Sequence, residues 1–328
     1  MRAHRDPCPV PAAQARPAAW GRARHAGWRG AIDLAQRAFA AGVVAMLGFG
    51  AAAAAPAAAA TPPGRIVSLN LCADELVLRL APPGHVASVT FLAADPVSST
   101  VADRTAGIVL NRGLAEEVVP LAPDLVIAGR FTTRAATAML RRLGIEVLEL
   151  DIPASIEEAY AQIRSLAARL GAAERGEAMV AQIEAALAVP PPPRRLSAVV
   201  LRPNGFTAGP GSLPDELMRR AGLDNLAARL ATSRLGQLEV EDIVTAAPEV
   251  MVVDMNPDTP PSRARSLIQH PALVRTAAHG VVVPLPSRLW SCVGPQLAEA
   301  FASLSKAAYA AQDPAPAGTP APPRRAAP

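Results

Sequence analysis

The chain has 328 residues, 51% hydrophobic and 18% charged, which suits a globular protein with a large Ala-rich apolar share and room for two modest domains. Its formal net charge is +4, but residues 1–60 alone hold seven Arg against two Asp. Between Thr61 and Gln312, 23 basic residues face 25 acidic ones, so a nucleic-acid surface is excluded as an expectation.

Residues 38–60 are free of charge, Arg37 stands before them, and an Ala-x-Ala pattern closes them. This order fits a secretory signal peptide cleaved after Ala60. An uncleaved membrane anchor is the alternative, and the weakly apolar Ala/Gly-rich end argues against it. Cys8 leaves with such a leader, so Cys72 and Cys292 remain. In an oxidising compartment they can form one bridge, although sequence does not set their distance.

Arg65-Ile66-Val67-Ser68-Leu69 reads as a strand running into the loop Asn70-Leu71-Cys72, and Asp74 opens a helix ending near Ala81. A second strand covers 85–89, 91–112 reads as loop, and a short helix spans 114–121 before Pro123. Residues 124–128 (DLVIA) form a buried strand, 133–143 a helix capped by Gly144, and 145–150 another strand. From Ser155 to Val189 the apolar spacing is helical throughout. Ser155 with Glu158 makes a capping box, Gly171 divides two helices, and four prolines from Pro190 stop the second. Strand–helix alternation then returns. Strands are expected at 196–201, 249–253 and 280–284, with helices from Asp215, at 239–246, at 262–278 broken by Pro271, and at 296–311. From Gln312 on, Pro and Ala dominate, which reads as a disordered tail.

The halves resemble each other. AEEVVPLAPDLVIA from Ala115 lies over VEDIVTAAPEVMVV from Val240, pairing Glu116 with Glu241 and Pro123 with Pro248 at one offset, 125. Each half also carries a strand, a loop and an Asp-Glu-Leu helix start, at Asp74 and Asp215. Two matches in the same order argue for duplicated lobes. The expected architecture is α/β. It comprises two Rossmann-like lobes with mostly parallel sheets, at 61–154 and 194–311, joined by a helical spacer at 155–193. Residues 1–60 are the leader and 312–328 the tail.

The leader, RIVSLN, LAEEVVPLAPDLVIAG, the spacer and VEDIVTAAPEVMVV together resemble the periplasmic substrate-binding proteins of ABC importers, in the class carrying vitamin B12, ferric siderophores or haem. The resemblance covers about residues 64–311. It implies two lobes joined by one long helix, with a metal-chelate ligand clamped between them. It further implies a monomer in the periplasm that partners with a permease dimer and its ATPase subunits. Glu116 and Glu241 match the family's two glutamates that dock into permease arginines. One acid per lobe suits a two-fold partner, and a first-turn acid also favours its own helix dipole.

Open α/β sheets bind ligands at the C-terminal ends of strands. The candidate ligand-binding residues on those loops are Asn70, Cys72, Asn111, Arg112, Arg130 and Phe131 in the first lobe. In the second they are Asn204, Phe206, Asn256, Arg288 and Trp290. Trp290 stands out, since a tryptophan in an exposed loop suits a flat ring. The family's vitamin B12 binders carry aromatics six residues before each docking glutamate, where this chain has Leu110 and Leu235. Cys72 and Cys292 fall on cleft loops of opposite lobes. They can bridge, ligate a metal or stay free, and two Cys without His neighbours make a poor metal site.

No catalytic residues, resident metal or cofactor are expected. Gly209-Pro210-Gly211 lacks the third Gly of a dinucleotide loop, and no Walker loop is present. His85, His270 and His279 lack metal or triad spacing. The alternatives to a transport binding protein are an exported α/β enzyme or a ligand sensor using the same cleft.

Overall fold

The computed structural model describes residues 61–233, 236–255 and 262–312. The leader, the tail beyond Gln312, Leu235 and Asn256 lie outside the described residues.

Two sheets organise the chain, and every pairing within them is parallel. The first holds β1 (Ile66–Ser68), β2 (Val86–Thr90), β3 (Val109–Asn111), β4 (Leu125–Gly129) and β5 (Val147–Leu150), in the order β3-β2-β1-β4-β5. The second holds β6 (Leu196–Leu201), β7 (Leu223–Asn225), β8 (Val250–Val253) and β9 (Val281–Pro284), in the order β7-β6-β8-β9. With β6 laid on β1 and β8 on β4, the second sheet repeats the first without its edge strand β3. The 125-residue offset holds in three dimensions, because Leu125 opens β4 and Val250 opens β8. Ala122 and Ala247, each before its Pro, both adopt the left-handed conformation, at φ 42° and φ 43°.

Helices follow the strands: α1 (Leu71–Leu80), α2 (Ala115–Val118) and α3 (Arg134–Arg142) on the first sheet. After the spacer pair α4 (Ile156–Arg169) and α5 (Ala173–Leu187) come α6 (Leu213–Arg220), α7 (Val240–Ala246), α8 (Arg263–Ser266), α9 (Pro271–Ala277) and α10 (Leu297–Ala310). Sequence places the start of α1 at Asp74, but the helix begins at Leu71. The Asn70 side chain caps it by accepting the N–H groups of Cys72 and Ala73, at 3.0 and 3.4 Å. Residues 91–112, read as loop, contain β3, whose three residues are too few to show a period.

Strand side chains alternate between two apolar layers, as the pleat demands. On β4, Leu125 and Ile127 face one core while Val126 and Ala128 face another. On β8, Val250 and Val252 face the first core while Met251 and Val253 face a third. The first core is shared. It runs from Ile66 and Leu76 through Ile163, Leu166 and Ile183 of the spacer to Val200, Trp290 and Phe301. The spacer helices thus pack into both halves. They also pack on each other so closely that a Cβ at Gly176 would lie 2.5 Å from the Ala167 Cβ. At 15 residues, α5 is about 22 Å long.

The second half also holds the start of α4. Ser155 caps it through the Glu158 N–H at 3.0 Å, and Glu216 of α6 accepts the Ile156 N–H at 2.8 Å. Arg220 of α6 bridges Glu157 at 2.6 Å and Glu216 at 2.8 Å. Gln312, assigned by sequence to the tail, donates from Nε2 to the Arg194 carbonyl at 2.8 Å. Among the described residues no helix is long and apolar enough to cross a membrane.

Candidate functional site

All strands of each sheet point the same way, so their C-terminal ends gather the connecting loops on one side. A concavity of about 480 Å³ opens there, between the sheets. The first sheet contributes Asn70 and Cys72 after β1, Gly129 to Thr132 after β4, and Leu150 to Ala154 after β5. The second contributes Arg202 and Thr207 to Leu213 after β6, and Trp290 to Val293 after β9. Gln162 of the spacer completes the wall.

The two walls are covalently joined. Cys72 and Cys292 form a disulfide with a Cα–Cα distance of 4.9 Å across 220 residues of sequence. Of the three states open to these cysteines, the structure has the bridge. Each half supplies one partner, and both stand on the cavity wall.

The rest of the site is mainly apolar, with a few polar groups. On the first wall, Arg130 pairs with Asp151 at 2.7 Å, each about half exposed, so their charges offset. Asn70 Nδ2 lies 3.4 Å from Thr132 Oγ1. Gly129 permits this approach, since a Cβ there would meet Thr132 Oγ1 at 2.8 Å and Asn70 Nδ2 at 3.0 Å. Phe131 projects at the mouth, 68% exposed.

The second wall is different. Arg202, the first residue beyond β6, sets its guanidinium over the Trp290 ring at 5.8 Å from the centroid. Among the described residues no carboxylate forms an ion pair with it, and burial lowers its pKa while the charge of Asp254 acts the other way. Both Asp254 oxygens are taken, accepting the Ser287 N–H at 3.0 Å and the Ser287 hydroxyl at 2.6 Å.

Of the sequence candidates, Asn70, Cys72, Arg130, Phe131 and Trp290 come together on the cavity, and Asn111, Arg112, Asn204, Phe206 and Arg288 do not line it. Asn111 is buried and structural. Its Nδ2 donates to the Ser68 carbonyl at 3.0 Å and to Ser88 Oγ at 2.7 Å, tying three neighbouring strands. Arg112 is exposed over Phe91, 5.9 Å from its ring centroid. Asn204 and Phe206 belong to a tight turn after β6 in which Phe206 accepts the Arg202 N–H at 2.8 Å, and they face outward. Arg288 lies partly buried in the short turn after β9.

Trp290 lines the cavity but is not exposed. At 1% exposure it is among the largest fully buried side chains, a core residue with one edge on the cavity. Arg202 and Thr207 were missed by sequence. The only available signal was position, since Arg202 directly follows a strand.

Glu116 and Glu241 are exposed in the first turns of α2 and α7. Neither makes a hydrogen bond or ion pair among the described residues. Their neighbour Glu117 differs, accepting the Arg112 N–H at 2.7 Å. No group of three or more His, Cys, Asp or Glu side chains suited to a metal ion occurs among the described residues.

Two parallel α/β sheets joined by helices, with a cavity between their strand ends, define a protein that holds a small ligand between two lobes. The family model described as periplasmic binding protein matches residues 66–289, and the chain belongs to that family, whose members bind ligands rather than transform them. A cobalamin-binding protein of Halobacterium salinarum is 28% identical over 255 residues, covering 75% of this chain and 69% of that one. Among solved structures, the periplasmic heme-binding protein RhuT from Roseiflexus sp. RS-1, in its apo form, is 25% identical. Its TM-score is 0.61, over 76% of this chain and 99% of that chain. The periplasmic vitamin B12 binding protein BtuF of Vibrio cholerae shares the fold at TM-score 0.56 and 18% identity, over 76% of this chain and 98% of that one.

Proposed function

We propose that this chain is the exported substrate-binding component of an ABC importer. In this reading it holds a small metal chelate of the tetrapyrrole class between its lobes and presents it to a membrane permease. The observation that carries the reading is the mainly apolar cavity of about 480 Å³ walled by both halves at their strand ends, within the size range of small-ligand sites. The names of the similar proteins, cobalamin-binding and heme-binding, suggest the ligand class.

The donor set of the cavity favours one branch of that class. Among the described residues lining it there is no His, Tyr or Met, and both cysteines are spent in the bridge. The one carboxylate, Asp151, is paired with Arg130. A chelate that completes its own coordination sphere, as a corrinoid with its own axial groups does, suits these walls better than a haem needing a protein ligand.

The same reading makes residues 1–60 the export leader, 61–154 and 194–311 the lobes, and 155–193 the spacer. Glu116 and Glu241 become the two permease-docking acids. Their support is their equivalence at the 125-residue offset, their exposure and their lack of partners among the described residues.

Calorimetric titration with cobalamin, cobinamide, haem and several ferric siderophores tests the reading. Saturable binding of a corrinoid at micromolar or tighter affinity is expected. Silence from every tetrapyrrole would remove it.

A further inference from the structure

Three buried polar atoms on the second wall of the cavity have no hydrogen-bond partner: Arg202 Nε, Thr207 Oγ1 and Trp290 Nε1. Buried polar groups are ordinarily satisfied, and leaving one unpaired is costly. Here half of the six such side-chain atoms among the described residues stand on one wall of one cavity. Two are N–H donors, and the third is a hydroxyl that can donate.

Charge points the same way. Among the described charged side chains lining the cavity, Arg130 and Asp151 offset each other, and Arg202 has no ion-pair partner there, feeling only the charge of Asp254, whose oxygens are bonded to Ser287. The Trp290 ring, 5.8 Å from the guanidinium carbon, supplies no lone-pair acceptor. A guanidinium over an indole, with its Nε–H unpartnered and an unpartnered hydroxyl and indole N–H on the same wall, has the chemistry of an oxyanion cradle.

We infer that Arg202, Thr207 and Trp290 form a subsite for a carboxylate on the periphery of the ligand, so that this protein prefers an acidic tetrapyrrole over its amide or ester. The inference rests on the tetrapyrrole reading above and narrows it. The ligand's ring lies along the apolar part of the cavity, and its carboxylate turns toward the second wall. On the first wall the one cationic side chain, Arg130, is already paired with Asp151.

Matched ligand pairs isolate the carboxylate. Calorimetry on the full chain compares cyanocobalamin with its monocarboxylic acids, in which one side-chain amide is a carboxylate, and haem with its dimethyl ester. In at least one pair the acid is expected to bind about tenfold to a hundredfold more tightly, the range for one charge-assisted hydrogen bond. The preference shrinks as salt is raised.

In Arg202→Gln the ratio of acid to amide or ester affinity is expected to collapse to within about twofold. Arg202→Lys keeps part of the preference. Thermal melting checks that each variant is folded, and if Arg202→Gln is not, the wild-type ratio and its salt dependence decide alone. Equal affinities for acid and amide or ester in the wild type would overturn the carboxylate subsite and leave the tetrapyrrole reading standing. A preference that survives Arg202→Gln would overturn the assignment to this wall. No binding by any member of either pair would remove the tetrapyrrole reading and the subsite with it.

Discussion

Replacing Asp74 with Asn should stabilise this protein at neutral pH and leave it little changed in acid. Asp74 sits in the first turn of α1 with no exposed surface. Its Oδ2 accepts the Thr90 hydroxyl at 2.5 Å and its Oδ1 the Thr90 N–H at 3.2 Å. Burial outweighs these bonds and raises its pKa from 3.8 to about 6. A carboxyl whose pKa is higher folded than unfolded favours the fold below the unfolded value and loses that contribution as pH rises through the folded one. The window here is pH 3.8 to about 6. At ~1.36 kcal/mol for each pH unit between the two values, ionisation costs about 3 kcal/mol by pH 7.5. Asn keeps the shape, the acceptor for the Thr90 N–H and a donor for the Thr90 hydroxyl, without the charge. Urea unfolding followed by circular dichroism at steps from about pH 4 to pH 7.5 reads the difference between variant and wild type. That difference should grow by about 3 kcal/mol across the series, most of it before about pH 6.5. Parallel profiles would refute the argument, since other titrating groups cancel in the comparison.

The disulfide closes a loop of 220 residues, and in the chain-entropy account it stabilises the fold by about 5 kcal/mol. The double variant Cys72→Ser/Cys292→Ser should therefore melt well below the wild type and be indifferent to reductant, whereas the wild type should drop toward it when reduced. Gly176→Ala should destabilise by about 1–3 kcal/mol in denaturant titration, because the new methyl meets Ala167 at 2.5 Å. A helix-propensity gain of about 1 kcal/mol would appear instead if α4 and α5 could move apart. Glu116→Ala/Glu241→Ala should leave ligand affinity within about twofold and abolish uptake by cells carrying the transporter, and unchanged uptake would count against docking through these acids.

Much of the fold was legible because its central strands β1, β4, β6 and β8 are buried on both faces and punctuated by helices. DLVIA and EVMVV read as strands at one offset, and they became the equivalent strands β4 and β8. The short strands β3 and β7, three residues each, were not legible, because neither is long enough to show a period and each lies at a sheet edge. The start of α1 was misplaced because two consecutive acids imitate a helix opening. Asn70, the residue immediately before Leu71, does the capping.

The site was half legible. Strand-end loops could be named, but not which side chains turn inward. Asn111 sits at a strand end as a ligand contact would, and spends its bonds inside the sheet. Trp290 was singled out for the wrong environment, since burial in a loop comes from neighbours remote in sequence, such as Arg202 over its ring. Arg202 was passed over because lacking a partner is a property of three-dimensional surroundings, which no local pattern records.

The bridge between Cys72 and Cys292 changes the mechanics of the whole molecule. The spacer already joins the halves once, and the sulfur bond joins them again, so the chain from residue 72 to residue 292 is a closed covalent ring. While both joins are intact the halves cannot separate fully. A protease cut at any one point inside the ring would leave the two halves travelling as a single particle until the bond is reduced.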